Sequence, residues 1–278
     1  MIIALYDKWY YNNNMLLCQE RIFMAKRNGS LTDKIADSIL YRIVSQEFRP
    51  GTPLPSEREF QEEFGVSRTV VREAMKMLSA KGFVSTGAGH SAIVETNFTQ
   101  PTIDALLITF HQRRVKTSDL LHTRLLLEPP IAALAAQYAA PLQITRLLDL
   151  SHEIEHSMQQ LSTTTTEVLL HDYTVDADSQ FHITLAQASQ NPANEVLIEM
   201  LVGILWQHGR INFSAPSPEQ RTLAVNQHLQ IAQAVATHDA VTASRLMTEH
   251  LEATHHHLFG MPSSLRDLVQ ARFTNPAV

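Results

Sequence analysis

From about residue 102 to residue 258 the apolar side chains recur three and four positions apart, and no convincing strand pattern interrupts them. A helix with one apolar stripe must bury that stripe against other helices. This stretch is therefore constrained to an all-α antiparallel bundle. The spacing predicts helices near 102–113, 117–139, 141–161, 167–189, 193–213, 218–237 and 240–258, with "STTTTE" (162–167) and "FSAPSP" (213–218) as exposed loops. A short helix is expected near 264–273, inside a C-terminal tail of residues 261–278.

Several stripes hold residues that do not suit an apolar face. In "DADSQFHITLAQASQN" (176–191), Phe181, Leu185 and Ala188 mark the buried side, and Asp178 and His182 fall on or beside it. His228 lies within the stripe Val225, Leu229, Ala232, Val235, and His250 within Ala243, Leu246, Met247, Leu251. Their helices meet near "THDA" (237–240), and both histidines stand eleven residues from Asp239, so an antiparallel hairpin brings them level. Burying such groups unpaired is costly. One of them alone reads more simply as a satisfied core histidine, with Asp178 paired to His182. Four at matched depth instead make a coherent ligand set for a divalent cation. Zinc comes first, and nickel and manganese also fit three nitrogens and one oxygen with open positions.

"LLHTRLLLEPPIAALAA" poses a similar question. Leu121, Leu125, Ile131 and Ala135 form its stripe, and Arg124 and Glu128 lie on it. At a surface they would be an ordinary i,i+4 ion pair. On an inward face, Arg124 suits a clamp for a ligand carboxylate.

The N-terminal part has a different charge balance. Residues 24–94 hold ten Lys/Arg and eight Asp/Glu, whereas residues 95–278 hold ten and eighteen, together with thirteen of the fourteen histidines. Two domains with different partners follow: 31–95, and 102–260, joined by a linker at 96–101 within "ETNFTQP" (95–101). In 31–48, Ile35, Ile39, Leu40, Ile43 and Val44 share one helical face, which "RPGTPLP" ends. Ser56 and Glu59 form a capping box, Phe60 and Phe64 are the buried side of a short helix, Gly65 turns the chain, and Ser67 caps the next helix. There Val71, Ala74, Met75 and Leu78 face inward, while Arg68, Arg72 and Lys76 recur every four residues on the outer side, a stripe suited to the DNA major groove. "GFVSTGAGHSAIV" follows as a β-hairpin wing.

"PGTPLPSEREFQEEFGVSRTVVREAMKMLSAKGFV" resembles the winged helix-turn-helix of the GntR family of bacterial transcription regulators, over roughly residues 31–94. The resemblance implies that Arg58, Arg68 and Arg72 contact the operator, with Ser67 and Thr69 beside them and Gly89 and His90 at the wing tip. Many relatives carry a basic residue where this chain has Ala88, which weakens the minor-groove contact or leaves it to His90. "DSQFHITLAQASQN", His228 and "LMTEHL" resemble the FCD domain, the FadR-type effector domain of that family. The resemblance implies the ligand set Asp178, His182, His228 and His250, and an effector acid on Arg124. Gln190 stands where relatives often have Gly. The expected fold is thus mainly α, a winged helix of three helices plus a hairpin followed by a helical bundle.

The function that follows is a homodimeric, cytoplasmic repressor. It reads a palindromic double-stranded operator and answers to a small organic acid, a hydroxy acid or sugar acid, held with a metal's help. Two rivals are a regulator for which the cation itself is the signal, and a metal-dependent enzyme with a DNA-binding module. Against the enzyme, the shell offers no spare buried carboxylate as a general base and no nucleophile motif. "HEIEH" (152–156) matches a metalloprotease pattern, but His152 and His156 point away from the side that Ile144, Leu147, Ile154, Met158 and Leu161 define. "HHH" (255–257) reads as a frayed helix end. No apolar run approaches the roughly 18 residues of a membrane span, and the single Cys18 excludes an internal disulfide framework. The Tyr- and Asn-rich start lacks the layout of a signal peptide, and residues 1–30 are read as an extension outside the fold, with Met24 as an alternative start.

Overall fold

The structure, a computed structural model, describes residues 29–85, 91–160, 167–209 and 217–259. The N-terminal extension with Met24, the wing tip with Gly89 and His90, most of both expected loops and the short helix near 264–273 lie outside the described residues. The chain divides between Pro101 and Thr102 into two compact units.

In the first unit α1 (Leu31–Val44), α2 (Glu57–Phe64) and α3 (Arg68–Ala80) precede an antiparallel pair, β1 (Val84–Ser85) and β2 (Ile93–Val94), in register Val84 to Val94. Capping boxes start α1 at Ser30 and Asp33, and α2 at Ser56 and Glu59, which satisfies amide groups that the helix leaves open. Gly65 closes α2 at φ 64°, a conformation that favours glycine. Ile35, Ile39, Phe60, Val71, Ala74, Leu78, Val84 and Val94 form one apolar core. The first helix is shorter than its periodicity suggests, because Gln46 takes φ 61° and the Phe48 N–H returns to the Arg42 carbonyl. That turn leaves Val44 half-exposed and swings Phe48 onto the core, edge-on to Phe60.

Helix α4 (Thr99–Arg113) starts inside the expected linker. Asn97 Oδ1 accepts the Thr99 N–H at 2.6 Å, and Pro101 costs nothing in a first turn, where no amide donor is needed. Then come α5 (Thr117–Tyr138), α6 (Pro141–Gln160), α7 (Glu167–Ala188), α8 (Pro192–Gly209), α9 (Pro218–Ala236) and α10 (Ala240–Phe259). Among the described residues this unit contains no strand. Helix α10 lies along α5, α6 packs on both α7 and α9, and α9 pairs with α10. Leu125, Leu147, Ile154, Phe181, Leu185, Ile231, Val235 and Met247 fill the space between them. Pro129 and Pro130 sit inside α5. Gln190, where a glycine was the family expectation, adopts φ 56° just beyond α7. Among the described residues no helix is long and apolar enough to cross a membrane.

Candidate functional site

The residues singled out on three separate stripes converge. Asp178 and His182 from α7, His228 from α9 and His250 from α10 each offer a ligand atom, and these atoms all lie within 4.8 Å of one another. The three imidazoles are buried, and Asp178 keeps a quarter of its side chain exposed. Phe181 packs edge-on against His228, so an apolar wall borders the cluster.

The second nitrogen of each ring explains how the cluster is aimed. His228 Nδ1 is 2.8 Å from the Ala224 carbonyl, one turn back on its own helix. His250 Nδ1 is 3.3 Å from Gln227 Oε1, and His182 Nδ1 meets Glu128 Oε2. An acceptor at Nδ1 makes that nitrogen the N–H, which leaves the Nε2 lone pair free. His182 Nε2 and His228 Nε2 are buried and have no hydrogen-bond partner among the described residues. His228 Nε2 lies 3.1 Å from Asp178 Oδ1. Imidazoles whose Nε2 atoms converge beside a carboxylate are the donor set of a divalent cation, so these residues fit one.

The charges agree. Burial pushes His250 well below the usual histidine value, and the neighbouring His228 and His182 push it the same way. Burial opposes ionisation of Asp178, but His228 first, then His182 and Arg124, outweigh it and hold the carboxyl well below its ordinary range.

Arg124 is buried, as expected, and its Nε donates to Glu128 Oε1. The ordinary i,i+4 pair therefore exists, but Glu128 extends it to His182, fifty-four residues along the chain. Nothing in the spacing of Glu128 points to His182; only the packing of α5 against α7 brings them together. A buried carboxylate thus stands beside the shell, but it is not a spare one. Burial would raise the Glu128 pKa, yet Arg124 and His182 bring it down to about 2, and both oxygens are engaged, so it is no waiting proton acceptor. Arg124 Nη2 is buried with no partner among the described residues.

Other candidates separate cleanly. His152 and His156 are exposed on the outer face of α6, away from the cluster. His255 is not frayed: α10 continues to Phe259, and the His255 ring is buried and stacked on His122 with centroids 4.7 Å apart. In the first unit Arg58, Ser67, Arg68, Thr69, Arg72 and Lys76 are all exposed. Ser67 stands at the start of α3 without a side-chain capping bond, which leaves its hydroxyl outside the helix's own bonding. Glu57 holds Arg68 Nε at 3.0 Å and lies 3.7 Å from Arg72 Nε.

Comparison with known proteins finds a family match in each unit. Residues 31–94 match the profile of the bacterial regulatory proteins, gntR family, and residues 119–253 match that of the FCD domain. The Uxu operon regulator of Haemophilus influenzae is 31% identical, over 82% of this chain and 82% of its own. The HTH-type transcriptional repressor NanR of an Enterobacter species is 28% identical, over 84% of this chain and 88% of its own. Among solved structures, Streptococcus agalactiae GntR has a TM-score of 0.64 at 26% identity, over 81% of this chain and 99% of that one.

Proposed function

Because this chain belongs to the GntR family of bacterial transcription regulators and carries an FCD domain, we propose that it is a repressor released or tightened by a small organic acid. The family and its named relatives are regulators rather than enzymes. In this reading the protein is a cytoplasmic homodimer, and each winged helix reads half of a pseudo-palindromic operator, since a twofold protein matches a twofold site. Arg68, Thr69 and Arg72 reach base edges and phosphates from α3, Arg58 and Ser67 flank them, and Gly89 and His90 complete the contact from the wing. Repression follows the relative named as a repressor, while the Glc operon transcriptional activator of Escherichia coli, also 28% identical, makes activation the alternative.

The observation that carries the effector reading is the convergence of Asp178, His182, His228 and His250 with their Nδ1 atoms already engaged. These four would hold a divalent cation, zinc in first place. When bound, it supplies positive charge for a carboxylate and a neighbouring hydroxyl. Arg124 offers an unpartnered buried N–H to the same acid, which favours a hydroxy acid or sugar acid over the cation alone as the signal. An acid can move the operator equilibrium only as far as it prefers one arrangement of the dimer.

The deciding experiment is metal content by mass spectrometry on untagged protein, wild type against a His228→Ala, His250→Ala double variant. About one equivalent in the wild type and none in the variant is expected. No metal in either protein, with both folded, would make the four residues a polar core network and end the metal reading.

A further inference from the structure

We propose that Glu128 is a positioning residue that ties the acid clamp to the cation ligands, one of its oxygens holding Arg124 and the other aiming His182. The inference rests on the metal-and-acid reading above and adds to it a physical link between the two halves of the site.

The three acceptors behind the imidazoles are not equivalent. Ala224 lies one turn before His228 on the same helix, and Gln227 reaches His250 from the adjacent helix α9. Both are neutral. Glu128 is the charged one, and it comes from α5, the helix that also carries Arg124. A carboxylate accepting the Nδ1–H fixes the ring's orientation and makes Nε2 a better donor than a carbonyl does. With Oε1 on Arg124 and Oε2 on His182, the side chain cannot turn toward one without letting go of the other. The positions of the guanidinium and the imidazole are therefore not independent. Since Arg124 Nε is taken, an incoming carboxylate has the Nη edge, where Nη2 is buried without a partner. Whatever pulls on that edge also pulls on the residue that aims His182. The sequence offers no substitute, because an amide at this position could give its carbonyl to only one of two N–H donors and would turn its own NH2 toward the other.

The test is cobalt(II) titration of the untagged full-length protein, read by its visible absorption, with thermal unfolding followed on every sample. Glu128→Gln should weaken cobalt binding by about 10- to 100-fold, the usual effect of losing an acceptor behind a ligating histidine. Arg124→Gln removes the ion pair but keeps the acceptor behind His182, and should weaken cobalt binding clearly less than Glu128→Gln does. If Glu128→Gln alone fails to fold, the charge-balanced double variant Arg124→Gln, Glu128→Gln takes its place, with the same weakening expected relative to Arg124→Gln. Wild-type affinity in the Glu128 variant overturns the inference, and so does equal weakening by Arg124→Gln. A wild type that binds no cobalt removes the cation reading itself, and this inference with it.

Discussion

Two arginine–glutamate pairs in this chain have the same i,i+4 spacing and opposite surroundings. Arg58 and Glu62 on α2 are 86% and 66% exposed, whereas Arg124 and Glu128 on α5 are 4% and 2% exposed. In water the first pair is screened, and its partners lose rotamer freedom to meet. In the bundle neither partner has solvent to fall back on, so each depends on the other. What decides between the two is where the pair falls relative to the apolar stripe. The winged unit keeps its pair in solvent; the bundle, which also leaves Arg245 and Glu249 in solvent, buries Arg124 and Glu128 where packing fixes their geometry.

The comparison breaks most visibly at Glu128. Glu128→Ala leaves a buried guanidinium uncompensated and should cost about 3–5 kcal/mol in denaturant unfolding. A loss under about 1 kcal/mol would mean that water reaches the pair, and that the two helices differ less than their exposure suggests.

Acid should separate the units next. The folded bundle holds His250 neutral, while the unfolded chain takes up that proton near 6.5, so stability of the metal-free protein is complete above 6.5 and falls as pH drops below it. Glu128, at about 2 against an ordinary 4.5, adds stability above 4.5 that is lost as pH falls toward 2. Each full proton of difference costs about 1.4 kcal/mol per pH unit. Unfolding curves at pH 7.5, 6 and 4.5 should show the bundle weakening first; a pH-independent midpoint would contradict the buried, neutral His250.

Arg68→Ala should cost about 1–3 kcal/mol of operator affinity in gel-shift or anisotropy titrations and leave bundle stability unchanged. The smallest effect belongs to Glu62→Ala, about 0.3–0.5 kcal/mol in thermal unfolding. A larger loss there would show that the exposed pair is more than a surface contact.

Much of this was legible in the chain because it depends on local period. Val71, Ala74, Met75 and Leu78, and Ala243, Leu246, Met247 and Leu251, declare their buried faces by spacing alone, and all are buried. The convergence of His228 and His250 was legible too, because a short hairpin fixes the register of two helices about a known turn. What could not be read was set by single residues or by distant packing. The end of α1 turns on the conformation of Gln46, and the start of α4 on one side-chain bond from Asn97. His255 looked like part of a polar run, yet it finds its stacking partner in His122 on another helix. Glu128 satisfied its obvious local partner, so nothing in the sequence asked for a second.

Pro129 and Pro130 follow Glu128 directly on α5, and neither has an amide hydrogen. The carbonyls of Leu125 and Leu126 therefore lose the donors that an unbroken helix would give them. Without those two bonds α5 bends most easily at this point, one residue beyond Glu128. Of all places along that helix, a tug on Arg124 is cheapest to absorb there, by a change of bend instead of a rupture of the core. In the proposed reading, the helix that would grip the effector is also the one whose ladder of backbone bonds is interrupted.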